Sequence, residues 1–478
     1  MTEFCNCDVA IIGGGYAGSV LALHLARQLE PASHIVIVEP RAELGSGLAY
    51  STTDETHCIN VPARQLAVSG DAEDRFIDWL ETRHPELVGH GGGENDPTRT
   101  FVQRRWFGDF VRDRLAVTLA SSDVMLWHRR ALATDARIAE GGLELSLADG
   151  AKVRTRRLAI ATGHGIPARL SGVPSALHDA PEIIGDPWRP DALAGIAADD
   201  DVLIVGTGLT MADVTASLLA RSHRGKIVAL SRHGLLSRPS AGTSIPAAID
   251  FSTWPVAPVS VYLRKLRREI EREGGSWREV FSALREQSKT LWSKLPVWEK
   301  QRFMRHLKCF YDAHRYRMAP ALARRIEAAR HRGQVEIVAG KLRGARRHHG
   351  GLLVEIAPRG SRQTERRRFR AIVNCTGPRQ TLHPDPAHFL GALIARGLAY
   401  PDPLGLGLTV DGDCRVYGIS RNVFALGPLT RERFADVVGA PEIMAQAEYL
   451  ARILAGELAE RCYGALDSDR RRATSNLR

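Results

Sequence analysis

Three groups of residues carry chemistry on type and spacing alone. Gly13-Gly14-Gly15-Tyr16-Ala17-Gly18 follows the apolar run Val9–Ile12 and opens the helical stretch Ser19–Leu29. A strand, a glycine turn and a helix in that order let a backbone approach a pyrophosphate. Gly13 permits the tight turn, Gly15 the close approach, and Gly18 the packing of helix on strand. The phosphates then meet free N–H groups at the positive end of the helix. A second strand, Ile35–Val38, ends at Glu39, 26 positions after Gly13. A carboxylate there accepts ribose hydroxyls and repels a 2′-phosphate, so this site suits FAD or NAD rather than NADP.

A second copy lies near mid-chain. The strand Asp201–Val205 runs into Gly206-Thr207-Gly208-Leu209-Thr210-Met211, a helix continues to Arg221, and the strand Lys226–Leu230 ends in Ser231-Arg232-His233. Met211 stands where the fingerprint has its third glycine. Arg232 is the candidate grip for a ribose 2′-phosphate, which favours NADPH and leaves NADH possible; a solvated surface arginine is the plain alternative. Two more apolar strands end in Thr-Gly, at Gly163 and Gly377, and a third ends at Gly427-Pro428.

The third group is Asp312-Ala-His314-Arg315-Tyr-Arg317, in which His314, Arg315 and Arg317 are candidates to bind an anionic substrate or cofactor phosphates. The alternative is a solvated helix face. Neither a GxSxG elbow nor an HExxH zinc pattern occurs, so hydrolase and zincin readings fall away and no metal site is expected.

The elements that position these groups follow from length and pattern. At about 150 residues per domain, 478 residues make roughly three units. Hydrophobic residues at 44% and charged residues at 25% exclude fibrous and disordered classes. The expected fold is α/β with two Rossmann-like dinucleotide-binding domains, the second inserted in the first, plus a helical insertion. The boundaries read as 1–175 for the first part of an FAD-binding domain, 176–345 for an NAD(P)H-binding domain with the insertion at about 255–330, and 346–478 for the FAD domain's second part. Leu87–Thr100, rich in glycine, reads as a surface loop.

Seven scattered cysteines without a CxxC pair argue for a reducing compartment and against an electron-relaying cysteine pair. The uncharged Val9–Ala26 segment is broken by glycines and has no basic stretch before it, so a cytoplasmic protein without a membrane span is expected. The net charge of +11 allows nucleic acid, but anionic cofactors account for it equally well and no nucleic-acid partner is expected. The oligomeric state is open.

Together with Gly45-Ser46-Gly47-Leu48-Ala49-Tyr50 and His57-Cys58-Ile59-Asn60-Val61-Pro62-Ala63, these motifs resemble the FAD/NAD(P)-binding oxidoreductase family from about Asp8 to Ala455. The family is similar to two-nucleotide flavin monooxygenases, including N-hydroxylating and urate hydroxylase-like flavoproteins. The resemblance implies that Gly13, Gly15, Gly18 and Glu39 hold FAD, and that Gly45, Gly47, Tyr50, Asn60, Val61 and Pro62 lie along the flavin. It also implies that Gly206, Gly208 and Arg232 hold NADPH. The implied activity is hydroxylation of a small polar substrate, an amine, amino acid or purine, with O₂ through a flavin C4a-hydroperoxide. A flavin reductase or oxidase is the alternative. Asn60 and His57 are the candidate catalytic residues beside the flavin; a turn cap and a satisfied loop histidine are the plain alternatives.

Overall fold

The computed structural model describes residues 4–88, 100–241, 245–379, 382 and 388–475, with side chains to residue 460. Most of the expected Leu87–Thr100 loop lies outside these residues.

The first unit begins with β1 (Phe4–Ile12), α1 (Tyr16–Gln28) and β2 (His34–Val38). Val9, Ile11, Ile35 and Ile37 are wholly buried, as parallel strands covered on both faces require. The short α2 (Gly47–Tyr50), α3 (Phe76–Arg83) and α4 (Arg104–Ala120) follow, with α4 packed on α1. Then come β3 (Met125–Arg129), the hairpin of β4 (Ala133–Ala139) and β5 (Gly142–Leu147), and β6 (Lys152–Ile160). The strand order is β3-β2-β1-β6-β5-β4.

The second unit starts at β7 (Ile183–Ile184), then β8 (Val202–Val205), α5 (Leu209–Ala220) and β9 (Ile227–Ser231). Five helices are inserted here: α6 (Val259–Arg272), α7 (Trp277–Glu286), α8 (Ser288–Lys294), α9 (Val297–His306) and α10 (Lys308–Arg315). They have an apolar core of their own, built on Phe251, Trp254, Tyr262, Ala283 and Leu291. The crossover helix α11 (Pro320–His331) returns the chain to β10 (Val335–His348), β11 (Gly351–Pro358), β12 (Glu365–Phe369) and β13 (Ala371–Asn374). The order is β12-β11-β10-β9-β8-β13-β7.

This corrects the expected boundary at residue 345. β13 pairs in parallel with β8 at the centre of the second sheet, so the second unit runs on through Asn374. The basic segment before Ala371 is edge strand β12, and it leads into β13. The helical insertion begins at Val259, and α11 is the crossover of the nucleotide fold rather than part of the insertion.

The chain then returns to the first unit through α12 (Phe389–Ala395), β14 (Val423–Ala425), α13 (Arg431–Phe434) and α14 (Ala440–Ser475). β6 divides its open edge between two partners: Lys152–Thr155 pairs antiparallel with β5, and Leu158–Ile160 pairs parallel with β14. α14 packs along α1 and closes the first core. The second unit is therefore inserted in the first.

Candidate active site

The first glycine turn is drawn tight by sterics. A Cβ on Gly18 would lie 1.9 Å from the Gly13 carbonyl oxygen, and one on Gly13, at φ +102°, would lie 2.5 Å from the Ala161 oxygen. Only glycine fits either place. Gly14 N–H donates to the buried Glu39 carboxylate at 2.9 Å, and Arg41 N–H donates to its other oxygen at 3.1 Å. Glu39 thus sits at the end of β2 with lone pairs left for ribose hydroxyls. Gly47 faces Gly15 so closely that a Cβ on Gly15 would be 3.2 Å from the Gly47 Cα. Gly45 N–H bonds both the Gly14 oxygen and Ser19 Oγ, at 2.9 Å each. Gly427, with φ +71°, lies by Ala17 at the start of α1, and its N–H is held by Gln446 at 2.7 Å. These backbone surfaces leave no room for a side chain beside the helix terminus, and they fit an FAD pyrophosphate. Tyr50 packs edge-on against Tyr16 and Phe107.

The second turn repeats the geometry with different residues. Gly13 N–H bonds the Val38 oxygen and Gly206 N–H the Leu230 oxygen, which makes Ser231 the counterpart of Glu39. Where Gly14 reaches Glu39, Thr207 Oγ1 reaches Ser231 Oγ at 2.9 Å. Arg232 is the next residue, exposed and without an ion pair or hydrogen bond among the described residues. It lines a groove of 340 Å³ together with Gly206, Gly208, Cys309 and Gly377. A Cβ on Gly208 would meet nothing within 4 Å, so the groove is open above the α5 terminus and fits a second dinucleotide. Gly163 and Gly377, also in open space, occupy equivalent turns after β6 and β13.

The candidate catalytic pair separates. His57 fastens the two units together: Thr52 Oγ1 lies 2.8 Å from its Nδ1 and Ser217 Oγ, on α5, 3.0 Å from its Nε2. Ser217 also donates to Asp54 at 2.6 Å, and Arg104 bonds Asp213 of α5 at 2.6 Å. Burial holds the His57 pKa below its ordinary value against the upward pull of Asp213 and Asp54. Asn60, in contrast, is half-buried and its side chain has no hydrogen-bond partner among the described residues. The loop carrying it is pinned by Ile59 N–H on the Val102 oxygen and Ala63 N–H on the Thr100 oxygen, both at 2.9 Å. Val61 packs on the core beside the buried Pro62.

The arginine cluster behaves differently from a receptor for anions. Arg315 is buried, and its guanidinium is taken by Asp436 and Glu442. Arg317 lies over the Trp277 ring and donates to the His314 oxygen at 3.1 Å. His314 Nδ1 bonds the Phe310 oxygen at 2.8 Å. With Trp292 Nε1 on the Glu432 oxygen at 2.7 Å and Lys300 on the Glu432 carboxylate at 2.8 Å, Arg315 docks the insertion onto the first unit's C-terminal segment. The Arg315 charge is therefore matched by carboxylates of the first unit.

Two residues near the candidate site, His164 and Arg431, have no counterpart in the sequence reading; Arg431 lines the cavity among the inserted helices. His164 follows Thr162-Gly163; surrounding protein, Arg431 and Lys308 all lower its pKa, although its side chain reaches solvent. The Thr-Gly dipeptide was the available signal for His164, whereas nothing local marked Arg431. Among the described residues no metal-binding cluster occurs, and no helix is long and apolar enough to cross a membrane.

The two glycine turns and their sheets define a two-dinucleotide-binding flavoprotein fold. Residues 10–165 match the family described as FAD-NAD(P)-binding. No curated protein matches the chain by sequence. Among solved structures, the ornithine N-hydroxylase of Kutzneria sp. 744 is similar with a TM-score of 0.62 and 14% identity, over 95% of this chain and 99% of that one. The FAD-bound cadaverine monooxygenase of desferrioxamine biosynthesis from Erwinia amylovora gives 0.63 and 12%, over 94% of each chain. Thioredoxin reductase from T. acidophilum gives 0.52 and 11%, over 95% and 99%. Likeness at these identities is likeness of fold.

Proposed function

We propose that the protein is an FAD-dependent, NAD(P)H-consuming monooxygenase that hydroxylates the nitrogen of a small amine-bearing molecule. One observation carries this reading. Asp312 and Tyr316 line both the groove of the second unit and a second cavity, held between the helical insertion and the first unit. Reductant and substrate would thus lie on two sides of the same residues, with the first unit's C-terminal segment beside them. The ornithine and cadaverine enzymes of the same fold support the choice of amine, and the lack of a CxxC pair speaks against disulfide reduction.

Gly13, Gly15, Gly18, Glu39 and Gly427 would hold FAD, and Gly206, Gly208 and Arg232 would hold NADPH. When bound, the nicotinamide supplies a hydride and the flavin accepts it and activates dioxygen. The balance is amine, O₂, NADPH and H⁺ going to hydroxylamine, NADP⁺ and water. The chain's own part is orientation and exclusion of water: Asn60 offers an unpartnered amide beside the flavin path, and the Asp54–His57–Ser217 contact keeps the two nucleotide sites in register. The scattered cysteines support a location in a reducing compartment such as the cytoplasm.

The test is coupling. NADPH oxidation by the flavin-loaded protein should rise with an amine substrate and yield one hydroxylamine per NADPH. Stoichiometric peroxide with every amine would overturn the reading in favour of a flavin oxidase or reductase.

A further inference from the structure

The cavity among the inserted helices is larger and more apolar than a diamine needs. It measures 460 Å³, about three times the ~150 Å³ apolar cavity that takes up benzene. Trp254, Tyr262, Trp277, Phe281, Leu284 and Trp292 line it. Its polar residues include one cluster, where the insertion meets the first unit: Lys308, Asp312, Tyr316, Arg431 and Asp436. Asp312 and Tyr316 of this cluster also line the nucleotide groove, so the cluster is the end of the cavity nearest the chemistry.

The cluster's charges are unequally matched. Asp312 is paired with Lys308, while Asp436 takes Arg315 and the Tyr316 hydroxyl. Arg431 donates Nε to the Pro428 oxygen at 3.0 Å and Nη2 to the Leu406 oxygen at 3.2 Å. Among the described residues no carboxylate forms an ion pair with it. Burial lowers its pKa and Asp402, Asp312 and Asp436 lie near enough to pull it up, but with none of them in direct contact a partly buried guanidinium has room for an anion of its own.

Resting on the monooxygenase reading, we propose that this cavity is the substrate pocket and takes α-amino acids with bulky apolar side chains. The side chain lies among the aromatic rings, the carboxylate on Arg431, and the α-nitrogen beside Asp312 at the mouth shared with the nucleotide groove. Burial and the neighbouring Asp436 raise the Asp312 pKa against the pull of Lys308 and Arg431. The orientation is the reverse of that expected for a small polar diamine, because the nitrogen attacked is the one at the head.

Binding to the full-length protein, read by tryptophan fluorescence, tests this without turnover. Across norleucine, 2-aminooctanoate and 2-aminodecanoate the dissociation constant should fall about fourfold per methylene. Ornithine and lysine should bind at least tenfold more weakly than norleucine. Arg431→Gln should weaken 2-aminodecanoate and decanoate about tenfold or more and leave decylamine unchanged. Leu284→Trp should fill the cavity and abolish the chain-length dependence; if it does not fold, Leu266→Glu at the rim should do the same. Chain-length-independent affinity, ornithine or lysine binding as tightly as norleucine, or an equal loss for decylamine and 2-aminodecanoate in Arg431→Gln would overturn the assignment. Product assays on the same preparations separate the two claims. Binding as expected without hydroxylamine sinks the monooxygenase and leaves the pocket; hydroxylamine from polar amines alone does the opposite.

Discussion

The two nucleotide units use one architecture and different side chains at equivalent places. In the first, strands β3-β2-β1-β6-β14 are parallel, and in the second β10-β9-β8-β13-β7 follow the same plan. Each has a hairpin before its last central strand and a Thr-Gly turn after it. The first unit closes its turn with backbone on backbone at Gly18, whereas the second inserts the wholly buried Met211 among Val202, Ile204 and Val214. The first ends β2 in a buried carboxylate; the second ends β9 in a serine followed by an exposed arginine. The sheet thus repeats one glycine turn at the same place, and the residues at the strand ends are where the two units differ.

Exchanging the third-position residues breaks this comparison hardest. Gly18→Met should cost on the order of 3 kcal/mol or more, because no rotamer removes a Cβ from 1.9 Å of a carbonyl oxygen, and the chain should purify without flavin. Met211→Ala should cost about 2–5 kcal/mol through a cavity, yet keep its flavin. Flavin absorbance per chain and thermal melting distinguish the two, and equal flavin loss would mean that the turns are not independent.

Charge at the helix ends comes next. Gly15→Asp places a carboxylate in the pyrophosphate path and crowds Gly47, so the yellow colour should be lost. Gly208→Asp has open space, so the protein should fold and remain yellow while NADPH binding weakens on the order of a hundredfold. Smaller again, Arg232→Ala should raise the NADPH dissociation constant about tenfold or more and leave NADH unchanged. An unaltered preference would show that another group reads the 2′-phosphate.

Much of this was legible because glycine turns and the β-strand period are local signals. The fold class, both turns and the insertion could be read from residues alone. The boundary at 345 could not, since β11 and β12 pair by long-range register, and an Arg-rich edge strand looks like a surface segment. His57 sits in a glycine-poor loop like any site residue, but its partner Ser217 lies 160 positions away. Arg315 could not be told from a substrate arginine, because Asp436 and Glu442 reach it only through the fold. The aromatic cavity was visible merely as tryptophans without a shared period.

The contact between the units gives the mildest and sharpest test. Burial lowers the His57 pKa from its ordinary 6.5. Between the folded and unfolded values the unfolded chain therefore binds more protons, so this residue's contribution is present above pH 6.5 and lost as pH falls through the lowered value. Melting temperature should thus drop from pH 7 to pH 5, and drop less in His57→Gln, which keeps hydrogen bonds to Thr52 and Ser217 without titrating. His24, His164 and His223 are lowered in the same direction, so the variant should reduce the slope rather than remove it. In the same variant NADPH-dependent flavin reduction should remain at pH 7. A pH slope identical to that of the unaltered protein would show that the two nucleotide units are held in register by Arg104–Asp213 and the Arg315 cluster, with His57 a bystander.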